Sequence, residues 1–191
     1  LPVMDIRATD LPEVKVLTPR RFGDARGYFS ETWNAARMAA AGLATGFVQD
    51  NESLSAKKGT LRGLHYQSPP FAQAKLVRVA RGSVRDVAVD VRRGSPTYGK
   101  WVAEVLSAEN GAQLLVPRGF LHGFVTLEAD TLVLYKVDNG YDAASDGSVL
   151  WNGPGLDIDW GIAASDVTLS DKDRAAPAFQ DWISPFEYVD A

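Results

Sequence analysis

From Lys75 onward the chain repeats one device: a few residues of alternating apolar and polar character, followed by a turn. The segments Leu76-Val77-Arg78-Val79, Val84 to Val91, Trp101 to Leu106, Leu114-Leu115-Val116, Phe124 to Leu127 and Leu132 to Val137 are too short for helices. A period of two places successive side chains on opposite faces, which is the signature of a strand. Between them lie Arg81-Gly82, Arg93-Gly94-Ser95-Pro96, Glu109-Asn110-Gly111, Pro117-Arg118-Gly119 and Asn139-Gly140, residues that favour tight turns. Such closely spaced short strands favour a jelly roll over any fold that alternates strands with helices. The expected fold is all-β, an antiparallel sandwich or barrel of the jelly-roll type.

One helix is predicted, starting after the N-cap Asn34, running through Ala35 to Ala41 and stopping at Gly42. It is expected on the outside. After Trp151 the sequence turns rich in Asp, Gly, Pro and Trp, which predicts a C-terminal wrap of loops and short turns. Residues 1–191 are therefore read as one domain, long enough to bury a substantial core with 46% apolar residues.

The net charge of -4 is spread over mixed signs with no Lys/Arg block, so binding to nucleic acid or to a membrane surface has no electrostatic basis. No apolar run approaches the roughly 20 residues that cross a bilayer. The first ten residues have neither a basic nor an apolar signal region, so a soluble, unexported protein is expected. Because the sequence opens on Leu1 rather than Met, trimmed or missing residues ahead of it are expected. Zero cysteines exclude disulfides and thiolate chemistry, and fit a reducing compartment; cytoplasmic is the expected location.

Two histidines are all the chain has. His65 lies in Leu61-Arg62-Gly63-Leu64-His65-Tyr66-Gln67 and His122 in Pro117-Arg118-Gly119-Phe120-Leu121-His122-Gly123-Phe124. A histidine pointing into a barrel is a candidate base, since its unperturbed pKa of about 6.5 permits proton transfer near neutrality. A metal site is disfavoured: there is no HxH pair, and two distant histidines without a carboxylate cluster make an incomplete ligand set. No glycine-rich phosphate loop is present, so an anionic ligand would have to be gripped by side chains such as Arg26 and Arg62. Tyr135 on a strand, Lys75 at a strand start and Asp173 in Leu169-Ser170-Asp171-Lys172-Asp173 each have an ordinary structural reading beside a chemical one. Taken alone, these residues supply an acid, a base and cations without assigning them.

In series, these stretches resemble the dTDP-4-keto-6-deoxyglucose 3,5-epimerases, also called dTDP-4-dehydrorhamnose 3,5-epimerases. The resemblance begins at Phe22-Gly23-Asp24-Ala25-Arg26-Gly27-Tyr28-Phe29-Ser30-Glu31 and Val48-Gln49-Asp50-Asn51-Glu52-Ser53-Leu54-Ser55. It continues through Leu61 to Gln67, Ala74 to Val79, Asp86 to Thr97, Pro117 to Phe124, Leu134-Tyr135-Lys136, Trp151-Asn152 and Leu169 to Asp173. It implies a cupin-type jelly-roll barrel with a few short peripheral helices. The implied substrate is a dTDP-4-keto-6-deoxy sugar nucleotide, inverted at C3 and C5 in the manner of L-rhamnose-type deoxysugar biosynthesis. Its ketone at C4 makes the hydrogens at C3 and C5 removable as an enolate forms, so the resemblance implies no cofactor and no metal.

The resemblance further implies His65 as base, Tyr135 as acid, Asp173 as partner of the base and Lys75 beside the ketone oxygen, where its charge would stabilise the enolate. Arg26 and Arg62 match positions that hold pyrophosphate. Phe29, Glu31, Gln49, Asn51, His122, Tyr141 and Lys172 match further substrate-contacting positions, and a homodimer is implied. Two departures stand out. Val137-Asp138-Asn139-Gly140-Tyr141 replaces a Thr-Asp-Tyr-Tyr type of run, losing one aromatic, and Trp151-Asn152-Gly153-Pro154 replaces Trp-Asn-Asp-Pro. Both bear on how the sugar sits, which separates a double epimerase from relatives inverting C3 or C5 alone. That single-site chemistry is the nearest alternative; a 3,4-ketoisomerase, a metal-binding cupin and a non-catalytic sugar-binding cupin fit the residues less well.

Overall fold

A computed structural model describes residues 3–43 and 46–190. Thirteen strands form among them. A six-stranded antiparallel sheet runs in the order β1 (Met4–Ala8), β2 (Lys15–Pro19), β10 (Gln113–Val116), β7 (Lys75–Arg81), β12 (Thr131–Val137) and β5 (Gln49–Ser55). A five-stranded antiparallel sheet runs β13 (Asp146–Ser148), β6 (Leu61–Gln67), β11 (Phe120–Thr126), β8 (Ser83–Asp90) and β9 (Trp101–Ser107). The remaining pair, β3 (Phe22–Asp24) and β4 (Gly27–Phe29), is a separate hairpin. The architecture is the expected antiparallel jelly roll of cupin type.

Strand alternation divides the apolar residues into three layers. Val77, Val79, Val84, Ala88, Val102, Leu106, Leu114, Val116, Phe120, Phe124 and Val133 meet between the two sheets. Residues of opposite parity on β8 and β11, together with Leu61 and Leu64 of β6, form a second cluster on the outer face of the five-stranded sheet. There Leu61, Leu64, Val87, Val89, Leu121 and Val125 are covered by Trp151, Leu156, Trp160 and Phe186 of the C-terminal segment. This is the expected wrap, built with α2 (Asp171–Arg174) and two 3-10 turns, Ala164–Asp166 and Phe179–Asp181. The outer face of the six-stranded sheet packs Leu17, Leu76 and Leu115 against Met38 of α1 (Ala35–Ala40). That helix begins where expected, with the Asn34 side chain accepting a hydrogen bond from the Arg37 N–H at 3.1 Å.

Both sides of the sandwich being covered, its strands lose the strict polar alternation of a one-sided sheet. All seven residues of β11 are buried, so the strand extends back from the expected Phe124 to Phe120 and carries His122 with it.

Candidate active site

His65 faces the interior because β6 is irregular. Leu61 and Leu64, three residues apart, both join the outer cluster, whereas regular alternation would set them on opposite faces. The shift occurs at Gly63, which has φ +142 and faces the register break between His122 and Phe124 of β11. A Cβ at Gly63 would stand 2.6 Å from the Cα of Gly123, so only glycine permits this approach. In an unbroken strand His65 would share the outward parity of Leu61.

The same glycine anchors the partner of the histidine. Asp173, 3% exposed, places Oδ1 at 2.6 Å from His65 Nε2, and its Oδ2 accepts the Gly63 N–H at 3.2 Å. The Ser170 side chain caps α2 by accepting the Asp173 N–H at 3.1 Å, which holds the carboxylate in position. Burial works against charge on Asp173, but the hydrogen bond and charge of His65, with Gly63 and Ser170, hold its carboxyl below the ordinary value. An ionised carboxylate only accepts, so Nε2 of His65 must carry a proton and donate it. Nδ1 is then the nitrogen left with a free lone pair.

A cavity of about 400 Å³ opens beside His65. The facing sheet supplies Lys75 from β7 and Tyr135 from β12, and register pairing sets Asn51 and Gln49 beside Tyr135 and Val137. Gln67, Gln73, Tyr141 and Asp146 complete much of the wall. Base and acid candidates thus stand on opposite walls of one space. Burial pushes the Lys75 ammonium down to about 8, opposed by the charges of Asp86 and Asp146. Burial also raises the Tyr135 hydroxyl, while Arg62 pulls it down and Asp146 raises it.

The other expected contacts divide. Gln49, Asn51 and Tyr141 reach the cavity. Arg62 donates to Ser55 Oγ and the Leu54 carbonyl, each at 3.2 Å, and Lys172 pairs with the cavity residue Asp146. His122 pairs across the sheet with His65, but it is buried, with Nε2 2.6 Å from Asp86 Oδ1. Within one chain Arg26, Phe29 and Glu31 stand apart from this cavity. Arg26 and Phe29 ride the exposed β3–β4 hairpin, where Arg26 pairs with Asp24; Glu31 pairs with Arg37 at 2.9 Å.

A family-level sequence model described as dTDP-4-dehydrorhamnose 3,5-epimerase matches residues 8–181. The chain belongs to the dTDP-4-dehydrorhamnose 3,5-epimerase family. It is thus a carbohydrate epimerase, as the resemblance implied. A family member from Sinorhizobium fredii is 52% identical over 97% of this chain and 95% of its own length. The crystal structure of the Legionella pneumophila enzyme, in complex with dTDP-4-keto-L-rhamnose, superposes with a TM-score of 0.92. It is 44% identical over 98% of this chain and all of its own. A 3'-monoepimerase from Streptomyces bikiniensis, in complex with dTDP-quinovose, is more distant at 32% identity and a TM-score of 0.83, covering 91% of this chain and 87% of its own. Likeness to named 3,5-epimerases favours the double epimerase over the single-site alternative.

Sequence reasoning overlooked Gln67, Gln73 and Asp146 in the epimerase cavity, and Asp86 beneath it. Asp86 had a legible signal: it takes the inward parity of Val84 and Ala88, where a charge needs a partner. Asp146 lies in a turn-rich stretch with no periodic pattern to place it.

Proposed function

We propose that this epimerase inverts C3 and C5 of a dTDP-4-keto-6-deoxyhexose with His65 as base and Tyr135 as acid, working as a single cupin domain. The observation that carries this reading is the dyad: Asp173 occupies Nε2 of His65 and leaves Nδ1 as the basic nitrogen at a cavity whose opposite wall carries Tyr135 and Lys75.

In the proposed reaction His65 Nδ1 takes the proton from the carbon next to the ketone, and the electron pair moves onto the ketone oxygen as an enolate. Imidazolium formation is favoured by the adjacent Asp173 carboxylate. Lys75, placed by the ketone oxygen, meets negative charge where it develops. Tyr135 returns a proton to the opposite face of the same carbon, which inverts it, and the enolate collapses to the ketone. Once His65 has released its proton to solvent and Tyr135 has regained one, repetition at the second carbon completes the double inversion. A phenol ordinarily titrates near 10, so Tyr135 holds its proton at neutrality and gives it up only to a strong base such as the enolate carbon.

Arg62, Lys172, Gln49, Asn51 and His122 are assigned to substrate contact, Tyr141 to stacking at the cavity edge, and Arg26, Phe29 and Glu31 to the nucleotide of a neighbouring subunit in a homodimer. What supports the homodimer is the placement of Arg26 and Phe29 on an exposed hairpin outside the cavity lining, with Phe29 71% exposed and Arg26 paired only with its hairpin neighbour Asp24 among the described residues. A cytoplasmic site of action follows from the charged pyrophosphate, which does not cross a bilayer. The test is incubation with dTDP-4-keto-6-deoxyglucose in deuterium oxide. Deuterium at both C3 and C5 is expected; label at one carbon would make the enzyme a single-site epimerase, and label at neither would refute the reaction.

A further inference from the structure

Tyr141 stands 65% exposed on the irregular stretch after β12, although it lines the cavity. A large aromatic held in water on a loop needs something to fix it. The backbone of this stretch is held at four consecutive residues by side-chain carboxamides. Gln73 donates to the Asn139 carbonyl at 2.7 Å, and Gln49 accepts the Tyr141 N–H at 3.2 Å. Between them acts Gln67, 4% exposed, with every polar group of its amide engaged. Its Nε2 donates to the Gly140 carbonyl at 2.9 Å and the Phe71 carbonyl at 2.6 Å, and its Oε1 accepts the Asp142 N–H at 3.0 Å.

Resting on the proposed binding of a nucleotide sugar in this cavity, we infer that Gln67 is a positioning residue that presets the Tyr141 ring for the substrate. Its bonds to Gly140 and Asp142 flank Tyr141 on both sides, and the bond to the Phe71 carbonyl ties that stretch to the loop between β6 and β7. Fixing the ring beforehand removes the entropy cost of ordering it on binding. A carboxamide suits the task because it offers donors and an acceptor together and does not titrate. A glutamate here would turn a second oxygen toward two carbonyls. A leucine would leave Gly140 O and Asp142 N without partners.

The test is a double-mutant cycle on the full chain with Gln67→Leu, Tyr141→Ala and the double variant, measuring KM, kcat and the Kd for dTDP. Gln67→Glu is included as a near-isosteric variant should the leucine variant fail to fold. In the Tyr141-containing protein, either Gln67 variant is expected to raise KM and Kd about tenfold, from two lost hydrogen bonds, with kcat within about threefold. With Ala at 141 the same change is expected to add less than twofold. Equal penalties with and without the Tyr141 ring, or a fall in kcat at constant KM, would overturn the inference. Wild-type protein with neither turnover nor dTDP binding would overturn this inference and the proposed function together; normal turnover with additive penalties would overturn the inference alone.

Discussion

Replacing Asp173 with asparagine keeps the shape of the dyad and removes its charge. Asp173 presents one oxygen to His65 Nε2 at 2.6 Å and the other to the Gly63 N–H at 3.2 Å. Asparagine has only one oxygen. Turned toward His65, it leaves its NH2 against the Gly63 donor, a buried mismatch costing about 1–3 kcal/mol. Turned the other way, its NH2 meets Nε2 and forces the histidine proton onto Nδ1, which abolishes the base. In either arrangement the charge-assisted hydrogen bond, worth about 1.5–3 kcal/mol, is lost. At about 1.4 kcal/mol per tenfold, kcat at pH 7 is expected to fall about a hundredfold. Asp173 does not line the cavity, so KM should stay within about threefold. Steady-state kinetics check this, with thermal unfolding as a control on folding. A variant retaining more than a third of wild-type kcat would refute the argument that Asp173 fixes the basic tautomer.

Three other outcomes follow from the buried charges. Because burial lowers Lys75 from 10.5 to about 8, Lys75→Met should reduce turnover yet gain up to about 3 kcal/mol of stability at pH 7, and denaturant titration should show the gap closing as pH rises from about 8 to 10.5. The folded lysine sheds its proton first in that interval, relieving the cost of burying the ammonium; a gap independent of pH would contradict this. The kcat profile should fall above about pH 8, and Asp86→Asn should move that limb to lower pH, since Asp86 and Asp146 sustain the ammonium against burial. His65, Tyr66, Tyr135 and Tyr141 are further titratable groups lining the cavity with Lys75. The folded carboxyl of Asp173 lies below its unfolded value of 3.8, so its contribution to stability is complete above that pH and is lost as pH falls through the folded value. Urea midpoints of Asp173→Asn should therefore vary less with pH than wild type in that acid range.

Legibility in the sequence followed the local environment of each element. From Lys75 to Val137 the strands announce themselves, because Val and Leu fill both the inner and outer layers and turn residues separate them. β5 gave no such signal: Gln49 to Ser55 reads Gln-Asp-Asn-Glu-Ser-Leu-Ser because its inner side faces the polar cavity and its outer side faces solvent. β6 was equally opaque, since the irregularity at Gly63 breaks the period that would reveal it. Family resemblance supplied the proposed roles of His65, Lys75, Tyr135 and Asp173, and spacing alone could not, because Asp173 comes from a helix 108 residues beyond His65. Arg26 and Phe29 show the limit of a single chain: their motif is recognisable, but the hairpin bearing them contributes nothing to the lining of the His65 cavity.

The division of labour between His65 and Tyr135 is tested most directly by Tyr135→Phe with the keto-sugar nucleotide in deuterium oxide, following label and configuration at C3 and C5 by NMR. With the base intact and the acid gone, deuterium should enter carbons that keep their original configuration, while inverted product falls by about a hundredfold or more. His65→Asn should abolish both label and inversion. Inverted product forming at the wild-type rate in Tyr135→Phe, or label still entering in His65→Asn, would contradict a histidine base facing a tyrosine acid.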